Sequence, residues 1–169
     1  MDEAMDVKQE GGQSLKGLEG KYLTFALGKE EYGVGILKVR EIIGVMEITA
    51  VPHTLPYVKG VINLRGRVIP VLDIRLKFGM PVKEYDERTC IIVVEIYGPS
   101  GPIQVGLLVD SVSEVLNVTA AEIEPPPAFG THLDADYILG MAKVKDKVQI
   151  LLDADRVVGK GVLETLETV

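Results

Sequence analysis

The stretch Val61-Ile62-Asn63-Leu64-Arg65-Gly66-Arg67-Val68-Ile69-Pro70-Val71-Leu72 indicates the fold class of this chain. Its two apolar parts, residues 61–64 and 67–72, are short and rich in β-branched side chains, which is typical of strands. The pair Arg65-Gly66 lies between them, where glycine interrupts a regular element. Pro70 has no N–H group to give to a strand ladder, so we expect it at a sheet edge or at a bulge.

A strand hairpin is predicted before this stretch. Leu23, Phe25 and Leu27 recur at period two, the pattern of a strand with one buried face. After a turn at residues 28–31, the alternation of residues 32–36 predicts the return strand. Further short β-branched runs occur at residues 90–96, 103–109, 112–118, 138–144 and 148–152. The chain is therefore predicted to be all-β, with mostly local connections and one longer excursion near residues 40–60.

The predicted strands fall into two groups, residues 21–78 and 90–150, on either side of the polar residues 83–88. No close internal sequence repeat is visible. Two small barrels packed against each other, with a groove between them, are consistent with these breaks between the predicted strands. Residues 1–20 are polar and interrupted by glycines, so we expect a flexible tail there.

Helical signals are few. A short turn is expected at residues 73–78, and Asp153 is placed to cap a helix near the carboxyl end. Apolar residues recur beyond it at helical spacing, and two glycines among them predict a break. These positions are Val162, Leu163, Leu166 and Val169, with Gly159 and Gly161 as the interruptions.

Composition narrows the functional classes. The 169 residues carry a formal net charge of −7, which disfavours a general nucleic-acid-binding role because phosphates need a basic surface. No run approaches the roughly 20 apolar residues that span a bilayer, and no signal peptide is recognisable. The one cysteine, Cys90, has no disulfide partner within the chain. We therefore expect a soluble protein of a reducing cytoplasm.

Charge is unevenly distributed. Residues 38–77 carry seven bases and three acids. This segment is compatible with an ordinary solvated face, and equally with a docking surface for an acidic partner.

No catalytic constellation is recognisable. The two histidines, His53 and His132, lie in no nucleophile motif, and one cysteine with two separated histidines does not make a zinc site. A phosphate loop and a complete dinucleotide fingerprint are also missing from the sequence. We expect no enzymatic activity, no cofactor and no metal. The alternative is an enzyme or small-ligand binder that uses the groove, lined by Asp73, Asp110, Arg65 or His132.

The segment Pro52 to Arg75 resembles the CheW family of chemotaxis coupling proteins. It matches the family pattern Pro-x-x-x-Gly-[Val/Ile]-x-Asn-Leu-Arg-Gly-x-x-[Ile/Val]-Pro-[Val/Ile]-x-Asp-[Leu/Ile]-Arg. Weaker similarity covers roughly residues 21–158, and includes Glu31 to Val34, Val39 to Ile42, Val105 to Val112 and Tyr137 to Gly140.

The resemblance implies two SH3-like barrels, at about residues 21–80 and 88–152, with a chain crossover possible. Residues 21–158 would form the CheW-like domain and residues 159–169 a helical tail. The kinase CheA and the protein CheV contain the same fold, but each adds regions for which this chain has no room. We therefore expect a single-domain, non-enzymatic adaptor.

The resemblance also implies site residues. A receptor-binding surface would draw on Gly60, Arg65, Cys90, Ile91, Gly106, Val112 and Val115. A kinase-binding surface would include Val39, Glu41 and Ile43, and Phe129 would contact neighbouring units of an array. Two alternatives stay open: the apolar residues also suit a core, and Arg65 also suits an internal brace between the two halves. Glu124 departs from relatives that carry a base there.

The implied partners are the regulatory domain of the histidine kinase CheA and the cytoplasmic tip of methyl-accepting chemoreceptors. The expected location is the cytoplasm, with recruitment to membrane-associated receptor arrays. Neither nucleic-acid binding nor direct membrane insertion is expected.

Overall fold

The computed structural model describes residues 15–126 and 135–159. Eleven strands are present in these residues, which confirms the all-β prediction. The strands are β1 (Gly20–Leu27), β2 (Glu30–Gly35), β3 (Val39–Gly44), β4 (Val58–Leu64), β5 (Arg67–Asp73), β6 (Cys90–Gly98), β7 (Gly101–Val109), β8 (Ser111–Val118), β9 (Ile123–Glu124), β10 (Ile138–Val144) and β11 (Lys147–Leu152). Helix α1 spans Ile74–Lys77, and helix α2 is described over residues 154–159.

The strands form two sheets, each an SH3-like barrel. Barrel I has the strand order β3-β6-β7-β5-β4, and barrel II has the order β8-β1-β2-β11-β10-β9. The first hairpin, β1–β2, therefore belongs to barrel II, where β2 pairs in parallel with β11. The two sheets do not coincide with the consecutive segments 21–80 and 88–152 expected from the sequence. The chain crossover, expected as a possibility, occurs.

Three apolar clusters form the core of the protein, and one of them joins the two barrels. Barrel I contains one cluster and barrel II another, and a larger central cluster draws residues from both sheets. Leu23 and Phe25 of β1 lie in the central cluster, whereas Tyr22 lies in the core of barrel II. The expectation that β1 has a single buried face was wrong, because this strand lies between two cores.

Residues 15–20 belong to the fold rather than to a tail. Leu15–Leu18 form a short 3-10 helix, and Leu18 is buried in the core of barrel II. The Tyr22 hydroxyl donates to the Leu18 carbonyl at 2.6 Å. The predicted tail 1–20 is thus too long at its carboxyl end, and residues 1–14 lie outside the described residues.

The structure reveals an internal repeat that the sequence did not. The hairpin β4–β5 reappears 80 residues later as β10–β11, with the same alternation of buried and exposed positions in β4 and β10. Gly60 corresponds to Gly140, and Asp73 to Asp153. The amide of Asp73 donates to Tyr57 at 2.8 Å, and that of Asp153 donates to Tyr137 at 2.9 Å.

Each hairpin is followed by a helix that its aspartate caps. The Asp73 carboxylate accepts from the Leu76 amide, and the Asp153 carboxylate accepts from the amides of Asp155 and Arg156. The predicted short turn at residues 73–78 and the predicted cap at Asp153 are confirmed. The predicted helical tail at residues 159–169 lies, apart from Gly159, outside the described residues.

The repeat extends to the edge strands. Strand β3 lies at the edge of barrel I and pairs with β6, and β8 lies at the edge of barrel II and pairs with β1. The two carry similar segments, Val39-Arg40-Glu41-Ile42 and Val112-Ser113-Glu114-Val115, each with an irregular register. Glu41 and Glu114 therefore hold equivalent places in the two barrels.

Pro70 lies inside an interior strand, contrary to the expected edge or bulge. Its cross-strand partner Val61 makes both of its backbone hydrogen bonds to Thr49. The backbone nitrogen of Pro70 therefore points away from β4 and toward β7. On that other side, the ladder between β5 and β7 begins only at Val71. The proline is tolerated because its missing N–H faces an unpaired part of the strand.

Candidate partner-binding surfaces

Arg65 is tied to Glu41 at the outer end of barrel I. The φ angle of Arg65 is +54°, and Gly66 follows in the same left-handed region. Arg65 Nη2 lies 2.7 Å and 2.6 Å from the two carboxylate oxygens of Glu41. Arg65 therefore makes an internal contact, as the alternative reading expected. This contact connects two elements of barrel I rather than the two halves of the protein. The Arg65 side chain is 70% exposed, so this ion pair is also accessible to a partner.

Strand β3 presents the three residues expected at a kinase surface. Val39 packs against the central cluster and Ile43 against the core of barrel I, so both are half-buried. Glu41 contributes the accessible polar group between them. Ile42, which sequence reasoning missed, is 45% exposed and shares a face with Ile92 of the central cluster. The similarity of residues 39–42 to residues 112–115 of β8, which end in the exposed Val115, is the signal that could have found it.

Three residues expected at a receptor surface lie at the rim of the seam between the barrels. Val112 pairs with Phe25 and Val115 with Leu23, both of which face the central cluster. Cys90 packs against the same cluster, and the backbone of Val112 hydrogen bonds to its thiol. Val115 is 48% exposed. Together these side chains form an apolar rim that continues the central cluster to the surface.

The Cys90 thiol has no sign of activation. Burial raises the pKa of this thiol above its ordinary value. The thiolate is the reactive form, so a raised pKa favours the inert thiol. Cys90 therefore contributes apolar surface at the rim.

Ile91, Gly106 and Gly60 lie inside the barrel rather than on its surface. Ile91 is fully buried, so its expected direct contact with a receptor is corrected to a core position. A Cβ atom at Gly106 would lie 2.7 Å from Ile91 Cγ2, and one at Gly60 would lie 2.1 Å from the Thr49 carbonyl oxygen. These glycines permit close packing of barrel I.

The same glycine contacts recur in barrel II. A Cβ atom at Gly140 would approach the Glu124 carbonyl oxygen at 3.0 Å, as Gly60 approaches Thr49. One at Gly33 would lie 3.3 Å from Leu151, the counterpart of Val71, which contacts Gly106. Because both barrels need glycine at these places, the fold alone accounts for Gly60 and Gly106.

Phe129, the expected array contact, lies outside the described residues, as does His132. The other polar groups of the alternative ligand site are already engaged. Asp110 accepts from the Gly28 amide and Arg75, and Asp73 caps α1. Asp73 and Asp110 line one small cavity together with Arg75, but Arg65 is bound to Glu41 and is not part of that lining.

Two further features bear on function. Across residues 15–126 and 135–159, no three His, Cys, Asp or Glu side chains are grouped so that they could hold a metal ion. Among the helices in this part of the chain, none has the length and apolar character needed to cross a membrane.

Comparisons with known proteins agree with this architecture. The family model of the CheW-like domain matches residues 21–161. The chemotaxis protein CheW of Klebsiella aerogenes is 38% identical over 149 residues, covering 88% of this chain and 87% of that protein. The CheW protein of Bacillus subtilis is 34% identical over 141 residues, covering 83% and 87%.

A solved structure is similar throughout. The scaffolding protein TtCheW from Thermoanaerobacter tengcongensis superimposes with a TM-score of 0.77 at 36% sequence identity. The match covers 86% of this chain and 99% of that one. The family model, these relatives and the shared fold of two SH3-like barrels show that the chain belongs to the CheW family of chemotaxis scaffold proteins.

Proposed function

We propose that this chain is a non-enzymatic adaptor that joins the cytoplasmic tip of methyl-accepting chemoreceptors to the regulatory domain of the histidine kinase CheA. The carrying observation is the presence of two accessible edge strands, β3 and β8, in different barrels. An adaptor needs two separate surfaces so that both partners bind together. A single-ligand protein does not need this division.

The receptor surface is proposed at the seam rim formed by Cys90, Val112 and Val115. Apolar side chains at the rim of a packed core suit the apolar face of a helix. Gly60, Ile91 and Gly106 would support this surface by holding barrel I in shape. Their substitution would then alter receptor binding through the fold.

The kinase surface is proposed at β3, with Val39, Glu41 and Ile43. Since Arg65 bonds to Glu41 through both carboxylate oxygens, we place Arg65 with the kinase surface. The pair offers both a cation and an anion to a partner, and such exposed charges act mainly on specificity and association rate.

The remaining parts of the proposal follow from family membership. Phe129 is proposed to contact neighbouring units of a receptor array. The protein is proposed to act in the cytoplasm and to reach membrane-associated arrays through its partners, without inserting into the membrane or binding nucleic acid. The formal net charge of −7 supports the last point.

Binding measurements with both partners test the adaptor role. A receptor cytoplasmic fragment and the CheA regulatory domain are titrated with the chain, separately and together. We expect a ternary complex. Glu41→Lys should weaken CheA binding by about tenfold or more and spare the receptor, whereas Val115→Ser should do the reverse.

Each variant is first compared with the native chain by urea unfolding, so that misfolding is recognised. Competition between the two partners for one site would contradict the adaptor role. Failure of both to bind, at low and at moderate salt, would contradict the proposed partners.

A further inference from the structure

Each barrel is fastened to the other by the helix that follows its repeated hairpin. Arg75 and Asp155 hold equivalent places in the repeat, two residues after the aspartates that cap α1 and α2. Arg75 of α1, which follows barrel I, pairs with Asp110 directly before β8 of barrel II. Asp155 of α2, which follows barrel II, pairs with Lys38 directly before β3 of barrel I. The two ion pairs therefore cross between the barrels, and each ends at the start of an edge strand.

The two crossed pairs have opposite polarity and different burial. The helix supplies the cation in the pair of Arg75 with Asp110, and the anion in the pair of Asp155 with Lys38. The side chains of the first pair are both 14% exposed, whereas Lys38 is 35% and Asp155 32% exposed. Partly exposed pairs are screened by salt and contribute little to folding. We therefore expect the second pair to act locally, on the start of β3.

Asp155 is itself held in place by α2. Its amide donates to the carboxylate of Asp153 at 3.0 Å, and the apolar residues next to it in this helix are buried in the central cluster. Its carboxylate reaches barrel I with both oxygens. Oδ1 lies 2.6 Å from Lys38 Nζ, and Oδ2 accepts from the Tyr97 amide at 3.1 Å. This carboxylate is thus a fixed point of barrel II that holds two elements of barrel I.

The segment that leads into β3 has little anchoring of its own. It is a 3-10 helix, Ile36–Lys38, with no fully buried residue and no side-chain cap at its start. Ile36 packs at the edge of the central cluster, but Leu37 is 88% exposed. The Val39 amide donates to the Ile36 carbonyl, so this short helix sets the first residue of the proposed kinase surface. Lys38 connects that residue to barrel II.

We infer that Asp155 is a positioning residue for the kinase surface, and that it fixes the start of β3 from the other barrel through Lys38 and the Tyr97 amide. This role rests on the proposed kinase surface at β3. A surface that is already held in its bound conformation has less ordering to lose on binding, and therefore binds more tightly. Kinase binding would then depend on the docking of barrel II, although the residues of the surface lie in barrel I.

Titration of the CheA regulatory domain with the full chain tests this role. Asp155→Ala removes both contacts of the carboxylate, and Lys38→Met removes the ion pair but keeps an apolar stem. We expect each to weaken CheA binding about three- to tenfold, because the start of β3 must then be ordered on binding, and to change receptor affinity by less than about twofold. The double variant should bind no more weakly than Asp155→Ala, since both residues act through one contact. Lys38→Arg keeps the cation and should bind like the native chain.

Hydrogen exchange gives a readout that needs no partner. The Tyr97 amide loses its acceptor in Asp155→Ala, so we expect faster exchange at Tyr97 and at Val39. The matched control is Lys143→Met, which breaks an exposed ion pair with Glu124 inside barrel II. It should change neither the exchange of these amides nor CheA binding. Urea unfolding of all variants shows that they are folded.

The possible results separate this role from the proposed function. If the native chain binds CheA and Asp155→Ala binds it equally well, the positioning role is overturned and the adaptor role stands. If the effects of Asp155→Ala and Lys38→Met add in the double variant, Lys38 contacts the kinase independently and the positioning role is also overturned. If the native chain does not bind CheA, both the positioning role and the proposed kinase surface are overturned.

The controls decide two further cases. If Lys143→Met weakens CheA binding as much as Lys38→Met does, the effect is one of net charge and the positioning role is overturned. If Asp155→Ala does not fold, the comparison of Lys38→Met with Lys38→Arg decides, and equal CheA binding by these two variants would overturn the role.

Discussion

Asp110 and Arg75 form an ion pair at the junction between the barrels, with Arg75 Nη1 2.6 Å from Asp110 Oδ2. Asp110 is the single residue between β7 of barrel I and β8 of barrel II. The same carboxylate oxygen accepts from the Gly28 amide at 2.8 Å, and the Asp110 amide donates to the Ala26 carbonyl. This residue therefore joins the β1–β2 turn, α1 and the link between the barrels.

Replacement of Asp110 is expected to destabilise the whole chain. Both side chains of the pair are only 14% exposed, so Asp110→Asn leaves the Arg75 charge largely without compensation. We expect a loss of about 3 kcal/mol in the free energy of unfolding, measured in urea. Glu95→Gln breaks the exposed pair with Arg40 and should cost less than about 1 kcal/mol. Equal costs for the two variants would contradict a special role for the junction.

Gln149 is a polar residue in the place of an apolar one. Its Nε2 donates to Glu31 at 2.8 Å, but its buried Oε1 accepts from no group in the described residues. Its counterpart in barrel I is Ile69, and both are 2% exposed. We expect Gln149→Ile to raise the free energy of unfolding by about 1 kcal/mol, because an unsatisfied buried acceptor is removed. Gln149→Ala should lower it by leaving a cavity. A less stable Gln149→Ile variant would show that the amide has a partner or a function.

Gly60 is expected to tolerate no side chain. Its φ is +143°, and a Cβ atom would lie 2.1 Å from a backbone oxygen, which cannot turn away as a flexible side chain can. Gly60→Ala should therefore destabilise the chain by about 3 kcal/mol or more. Gly44→Ala, at a position with open space for a Cβ atom, should change stability by less than about 0.5 kcal/mol. Circular dichroism during thermal unfolding compares the two, and a stable Gly60→Ala variant would mean that β4 can move away from Thr49.

The Glu41–Arg65 pair is expected to contribute little to folding. Exposed pairs typically contribute less than about 1 kcal/mol, so a double-mutant cycle with Glu41→Gln and Arg65→Gln should give a small coupling energy that decreases with salt. The charge-swapped double variant Glu41→Arg, Arg65→Glu should restore any lost stability but not CheA binding. If it restores both, the pair is a brace alone and its residues do not contact the kinase.

Local sequence patterns predicted nine of the eleven strands in the described residues, because glycine and proline interrupt the chain between them. They missed β3, which lies where a longer excursion was expected, and the two-residue strand β9. The same patterns could not predict strand membership in the barrels. The pairing of β2 with β11 joins Glu31 to Gln149, and nothing in either short segment specifies so distant a partner. The burial of β1 on both faces follows from that pairing, so it was missed for the same reason.

The internal repeat was hidden because the two barrels preserve backbone requirements rather than side chains. Gly60 and Gly140 recur where backbones approach closely, whereas Arg65 and Lys145, or Ile69 and Gln149, share only a position. Site prediction had a similar limit. The resemblance implied a set of site residues, but sequence could not separate a rim residue such as Val115 from a core residue such as Ile91.

The β1–β2 hairpin precedes all strands of barrel I in the sequence but belongs to barrel II, and this has a consequence for protein synthesis. Barrel I uses strands from one continuous stretch, β3 to β7, and all of them have been made before β8 begins. Barrel II needs β1 and β2 from the start of the chain and β11 from near its end. On the ribosome, the apolar residues of the first hairpin must wait for about 110 residues, several seconds of translation, before their parallel partner strand is made. The amino-terminal hairpin is thus the segment most exposed to aggregation and to chaperone binding while the chain is being translated.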